Sequence, residues 1–215
     1  MLVVTTCPPP PPCYPGVTDH QAQTEEQIQA ARLGRARPLA GGRIILVEYD
    51  STWPALYEQE AALVRAVLGD TVRLLEHVGS TSVPGLVAKA IVDMLLAVPD
   101  SSDEPTYVPP LERASYVLRI REPDWHQHRV FKGPGMDINL HVFSDGCPEI
   151  ERMLLFRDWL RSNPDACGLY AGTKRELAKQ TWQYAQNYAD AKTTVVEGII
   201  AQARGSSPHG SANLV

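Results

Sequence analysis

From Trp53 to Leu68 the apolar residues fall in two interleaved rows, Leu56, Leu63, Val67 and Tyr57, Val64, Leu68, at the three- and four-residue steps of one helix face. Asp50 to Pro54 supply start signals, so an amphipathic helix is predicted there. The period then changes. Val72 to Val78 alternates, and Ile91 to Val98 is an almost unbroken apolar run of strand length, rich in Val, Ile and Leu. Beyond a Pro-rich loop, Tyr116 to Arg121, His126 to Lys132 and Ile138 to Phe143 read as further strands, the last two joined as a hairpin through Gly133-Pro134-Gly135. Helical spacing returns with Met153, Phe156 and Leu160 on one face. Tyr170, Lys174, Leu177, Thr181, Tyr184 and Tyr188 then follow at alternating steps of four and three, and a last helix is expected from Asp190 to Arg204. This order predicts an α+β domain over residues 43–204, a mixed sheet flanked by helices that cover it on one side.

The flanks differ from this domain. Residues 1–42 hold Pro8 to Pro12, Pro15-Gly16, a Gln-rich stretch and Gly41-Gly42, a composition that predicts a disordered or loosely helical extension. The proline tract reads as a spacer, with capture by an aromatic-lined groove as the alternative. Residues 205–215 read as a flexible tail. With 215 residues, 44% of them apolar, and a net charge of −5, the chain suits one soluble domain and argues against bulk binding of nucleic acid or an anionic membrane. A local basic groove stays open. No apolar run approaches the roughly 20 residues of a membrane span, and the N-terminus lacks a signal-peptide pattern, so a cytoplasmic protein is expected. Cys7, Cys13, Cys147 and Cys167 have neither disulfide-framework nor zinc-finger spacing.

The stretch Glu76-His77-Val78-Gly79-Ser80-Thr81-Ser82-Val83-Pro84-Gly85 carries the strongest chemical signal, followed by Lys89 and by Asp93 inside an apolar strand. A Gly-Ser-Thr turn after a strand offers backbone N–H groups and small hydroxyls to a phosphate, or simply caps a tight turn with Ser80. An ionised Asp93 within Ile91 to Leu96 costs several kcal/mol unless it is paired, with Lys89 or Arg129 as donor, or functional. Fourteen residues separate Gly79 from Asp93, enough to bring the carboxylate back beside the turn. On the later strands, Asp137, Asn139 and His141 share one face. His126, His128, Val130 and Lys132 alternate with Gln127, Arg129 and Phe131, so a basic, histidine-bearing hairpin is placed to face Asp93. Those histidines suggest zinc only weakly against solvent-exposed side chains. Lys174 and Arg175 either reach a phosphate or hold a solvated helix face.

Together these residues resemble the GrpB family, grouped with the nucleotidyltransferase superfamily, over about Ile44 to Ala203. The resemblance rests on Val47 to Asp50 with Trp53, Glu76 to Leu86, Ala88-Lys89 and Asp93. It continues in Arg129 to Lys132, Asn139 to Val142, Phe156 to Arg161, and Tyr170 with Lys174 and Leu177-Ala178. It implies a nucleotidyltransferase-like fold in which a Gly-Ser turn holds a triphosphate and strand carboxylates hold a divalent metal. The superfamily usually places two such carboxylates two residues apart. Here Leu95 follows Asp93, a single aspartate that belongs to the GrpB pattern, while Ala90 and Ser51 depart from it without removing a chemical group. Similar domains fused to dephospho-CoA kinase point toward nucleotide-linked chemistry.

The resulting expectation is metal-assisted nucleotidyl or related group transfer from a nucleoside triphosphate to a small-molecule acceptor. Gly79, Ser80, Thr81 and Ser82 would hold phosphate, and Asp93, with Asp137, would hold Mg²⁺ or Mn²⁺. Lys89, Arg129, Lys132 and Lys174 would neutralise charge, and His141 would act as general base. Two alternatives use the same cleft: a repurposed enzyme forming amides or esters with Asp93 and His141 as an acid–base pair, and a nucleotide-binding module without catalysis.

Overall fold

The five expected strands form in a computed structural model that describes residues 23–135 and 137–206. They are β1 (Leu74–Val78), β2 (Val92–Val98), β3 (Val117–Glu122), β4 (His128–Lys132) and β5 (Ile138–Ser144). The sheet runs β1-β2-β5-β4-β3, with β2 and β5 parallel and every other pair antiparallel. Helices α1 (Glu25–Ala30), α2 (Trp53–Leu68) and α3 (Val108–Arg113) precede the β4–β5 hairpin. After it come α4 (Pro148–Ser162), α5 (Pro164–Ala178), α6 (Ala185–Asp190) and α7 (Thr193–Ser206).

Strand parity divides the buried residues between two faces. Leu75, Met94, Leu96, Phe131, Leu140 and Val142 pack on Trp53, Tyr57, Ala61, Val64 and Leu68 of α2 and on Leu111 of α3. Of the two rows on α2, the one through Tyr57 is thus the deeper. Glu60 is buried on the same helix and accepts a 2.5 Å hydrogen bond from the Tyr116 hydroxyl, the partner that a carboxylate in this core requires. On the opposite face Val78, Leu95, Ala97 and Phe143 pack on Ile150 of α4, which in turn packs on α5 and α7. Helices therefore cover both faces, where the sequence led us to expect one. Coverage of the second face is partial: from Asp93 across Asn139 and His141 to Val130 and Ile120 the sheet is the floor of a cavity.

Two further expectations change. The periodic row from Tyr170 to Tyr188 is not one helix, because α5 ends at Ala178 and Trp182 leaves it to donate its backbone N–H to the Gly42 carbonyl at 2.9 Å. Its indole Nε1 then caps the Leu177 carbonyl at 2.8 Å. The partner segment belongs to the extension expected to be disordered. Residues 23–42 are instead folded onto the domain: Thr24 and Gln27 form a capping box on α1, and Ile28 and Ala36 are buried against Tyr184. Arg121 N–H donates to the Ala31 carbonyl at 2.8 Å and Leu33 N–H to the Arg119 carbonyl at 2.9 Å, so this segment lies along the free edge of β3. The proline tract, Cys7, Cys13 and residues 207–215 lie outside the described residues; Cys147 and Cys167 are free thiols. Among the described residues no helix is long and apolar enough to cross a membrane.

Candidate functional site

The Gly-Ser turn and the buried aspartate meet because of strand pairing. Val78, the last residue of β1, lies opposite Asp93 in the antiparallel register, and Gly79 turns the chain at φ +68°, ψ −170° into a single 3₁₀ turn, Ser80–Ser82. A Cβ on Gly79 would stand 2.5 Å from Asp93 Oδ2. On the other side Asp93 pairs with Asn139 of β5, whose Nδ2 donates to Asp93 Oδ1 at 2.7 Å, and His141 Nε2 is 3.6 Å from the same oxygen. Burial pushes the Asp93 carboxyl up, but His141, the Asn139 amide and the Lys89 ammonium outweigh it and hold it below the ordinary carboxylate range.

His141 is the middle of a longer chain of polar groups. Its Nδ1 is 3.1 Å from His128 Nε2, and His128 Nδ1 is 2.7 Å from Glu122 Oε2. The two imidazoles stack at 5.3 Å, and His128 stacks further on Phe143 at 4.5 Å. Burial pushes His128 down to about 4 despite Glu122, so at neutral pH it is uncharged with one ring proton. A carboxylate at Nδ1 assigns that proton to Nδ1, which leaves Nε2 to accept from His141 Nδ1. His141 Nε2, the ring's other nitrogen, faces Asp93 across the cavity floor.

Among the described residues, the cavity, about 610 Å³, is lined by Lys89, Lys132, Lys174 and Lys192 and by Arg32, Arg35, Arg37 and Arg119, against the single carboxylate of Asp93. In a chain of net charge −5 this is a concentrated positive field. Lys174 is buried, donates to the Val87 carbonyl and lies 5.3 Å from the Tyr170 ring centroid. Lys192 and Lys89 flank Tyr188 at 4.8 and 5.9 Å. Burial, then Lys192 and Lys89, push Lys174 down to about 7, and burial pushes Lys192 down to about 8.

These values carry a testable sign. The folded value of Lys174 lies below its unfolded one, so from pH about 7 up to the ordinary lysine range the unfolded chain holds the additional proton and stability without ligand rises with pH. A bound polyanion restores the proton. Tripolyphosphate binding should therefore take up protons near neutrality and weaken from pH 7 to 9, as read by calorimetry in two buffers of different ionisation heat. The rise of melting temperature with pH should shrink in Lys174→Met, with Lys192 keeping its own share; an unchanged slope would rule out this assignment.

Not every expected residue arrives in the cavity. Lys89, Lys132, Lys174, Ser80, Gly79, Asp93 and His141 line it. Thr81 and Ser82 do not, since the Thr81 hydroxyl is used by His77 and the Ile91 carbonyl, and the Ser82 hydroxyl donates to the Gly79 carbonyl at 2.6 Å. Arg129 is on the other face of the sheet, buried and bound to Glu104 at 2.6 Å, so it neither pairs with Asp93 nor reaches a ligand there. Strand alternation with His128 and Val130 already dictated this. Asp137 lies just before β5 and is not in the cavity lining; its side chain is 73% exposed, with Lys132 at 3.9 Å.

The protein's own donors do not make a complete Mg²⁺ or Mn²⁺ site. Among the described residues no group of three His, Cys, Asp or Glu is placed to hold a metal, and the one carboxylate is held by Asn139 and His141 in a field of ammonium groups. The weaker zinc suggestion meets the same finding, with His128 and His141 committed to each other. The sequence reading overlooked Lys192, Glu122 and the arginines of residues 32–37. Only His128, on the same strand face as Lys132, gave a signal in advance.

Comparison with known proteins agrees with this architecture. Residues 43–202 match the family described as GrpB protein. The chain is similar to a UPF0157 protein of Halalkalibacterium halodurans, 55% identical over 84% of this chain and 92% of that one. It is 41% identical to a UPF0157 protein of Streptomyces coelicolor over 79% of this chain and 95% of that one. The crystal structure of conserved protein GrpB from Enterococcus faecalis superposes with a TM-score of 0.66 at 31% identity, covering 74% of this chain and 96% of that one.

Proposed function

Since the chain belongs to the GrpB family, we propose that the cavity over β2, β5 and β4 binds a nucleoside triphosphate, or a like polyanionic donor, and transfers a group from it to a small-molecule acceptor. The observation that carries this reading is the ring of eight basic side chains around one Asp–His pair on the cavity floor. Phosphates are held by the Ser80 turn and by Lys89, Lys174 and Lys192, which supply the positive charge that a metal would otherwise provide. An acceptor hydroxyl or amine at His141 loses its proton to Nε2. Asp93 faces the imidazolium so formed, and His128 keeps Nδ1–H in place. The acceptor atom bonds to the donor phosphorus, the bond from that phosphorus to the leaving phosphate chain breaks, and the lysines take up the released charge. No step runs through a divalent ion.

Thermal unfolding of the full chain with a chelator present tests this. ATP and tripolyphosphate at 100 times their Kd should each add about 2.7 kcal/mol of stability, and adenosine none. Equal effects of ATP and adenosine, or none from either phosphate, would overturn the reading.

A further inference from the structure

Residues 31–37 cross from the β3 edge to Tyr184 at the start of α6, and they are held firmly along the way. Ala31 and Leu33 exchange backbone hydrogen bonds with Arg121 and Arg119. The Gln29 side chain donates to the Gly34 carbonyl at 2.9 Å and accepts from Ala36 N–H at 2.8 Å, which fixes the bend between them. Ala36 then buries beside Ile28 and Tyr184, and Leu39 N–H donates to the Gln183 carbonyl at 2.9 Å. The segment is a built strap over the side of the cavity, and it lies outside the residues of the family match.

What the strap brings is chemically specific. Arg32, Arg35 and Arg37 line the cavity together with Arg119, which the register shift between Leu118 and Ile120 takes out of the regular alternation of β3. The six arginines that do sit on carboxylates, Arg121, Arg129, Arg152, Arg157, Arg161 and Arg175, all lie elsewhere. Among the described residues the cavity's four have no carboxylate within 4 Å. Like charges gathered in this way repel unless an anion joins them, and guanidinium forks match the paired oxygens of phosphate or carboxylate. The two sets of cations are also separated. Lys89, Lys174 and Lys192 gather around Asp93 of β2, Arg32 and Arg119 lie at the β3 edge with Arg35 and Arg37 on the way from it to Tyr184, and Lys132 on β4 lies between Lys89 and Arg32.

We propose that the strap forms a second anion subsite, which holds an oxyanion group of the acceptor while the lysines hold the donor; this rests on the group-transfer reading above. The acceptor is thus a phosphorylated or carboxylated small molecule whose nucleophile lies between its own anion and the donor phosphorus. Calorimetric titration of the full chain with inorganic pyrophosphate should find two sites. Combined Arg32→Gln, Arg35→Gln and Arg37→Gln should leave one with unchanged affinity, and Lys89→Met with Lys192→Met should leave only the other. With ATP saturating, wild type should still take up pyrophosphate or succinate, which distinguish a phosphate from a carboxylate acceptor, and the arginine variant should take up neither. A single wild-type site removed by the lysine changes would overturn the strap subsite and leave the donor site standing. ATP that blocks both probes would assign the arginines to the donor and overturn the acceptor assignment. Absence of all binding would overturn both readings.

Discussion

Asp93→Asn should bind tripolyphosphate about tenfold more tightly than wild type while the ligand-free protein loses about 2–3 kcal/mol of stability at neutral pH. Both effects come from one change in charge. Among the described residues Asp93 is the sole carboxylate lining a cavity with Lys89, Lys132, Lys174 and Lys192, so its removal leaves these ammonium groups with only the more distant Asp137 and Asp190 to offset them until an anion takes its place. The loss stays below that of a fully buried ion pair because Lys174 and Lys192, already pushed down to about 7 and about 8, can release protons. Added tripolyphosphate should restore most of the lost melting temperature. The folded Asp93 carboxyl lies below its unfolded value, so its stabilising effect is complete above the ordinary carboxylate range and fades as pH falls through the depressed value. The gap between wild type and variant should accordingly narrow in acid. Weaker anion binding by the variant, or a requirement for Mg²⁺ that the variant abolishes, would instead make Asp93 a metal ligand.

Gly79→Ala should cost about 2–5 kcal/mol, from a backbone region that is essentially glycine-only and from a Cβ forced into Asp93. That Cβ would be 2.5 Å from Oδ2 and 3.0 Å from the Asp93 Cβ, so moving a flexible side-chain tip does not relieve the clash. Because Asp93 is tied to Asn139, the strain passes into the β2–β5 pairing and displaces Ser80 from the cavity wall. Gly85→Ala is the control: its φ of +77° is also left-handed, but nothing lies within 4 Å of the added methyl. Urea unfolding of the two variants should separate them by at least about 1 kcal/mol; equal losses would mean that Asp93 yields and the close approach is not structural.

How much of this was legible beforehand follows from the range of each signal. Period-two alternation and apolar runs are local, and they placed all five strands and put Asp137, Asn139 and His141 on one face. The 14-residue return from Gly79 to Asp93 was likewise readable, because a turn and a short connection must bring a β2 residue back to the end of β1. Hydroxyls were harder. Thr81 and Ser82 look like Ser80 in sequence, and only the turn's geometry consumes two of the three internally. The break after Ala178 and the folding of residues 23–42 depend on each other's backbone groups, across more than a hundred residues, and no local pattern carries that information. The strap arginines were hidden for the same reason, in a stretch whose composition reads as loose chain.

The two rims of the sheet are closed by different means. On β1 the outward carbonyls of Leu75 and His77 are taken by side chains, the Tyr57 hydroxyl at 2.9 Å and Arg157 at 3.0 Å; on β3 the backbone of residues 31–33 does the same work. An unpaired strand rim is a template for another chain, and hence a route to self-association and fibrous aggregates. A chain trimmed to the family-matched residues 43–202 would keep the first seal and lose the second. Such a trimmed chain should therefore recruit its own copies strand by strand more readily than the full chain, as light scattering of the two would read.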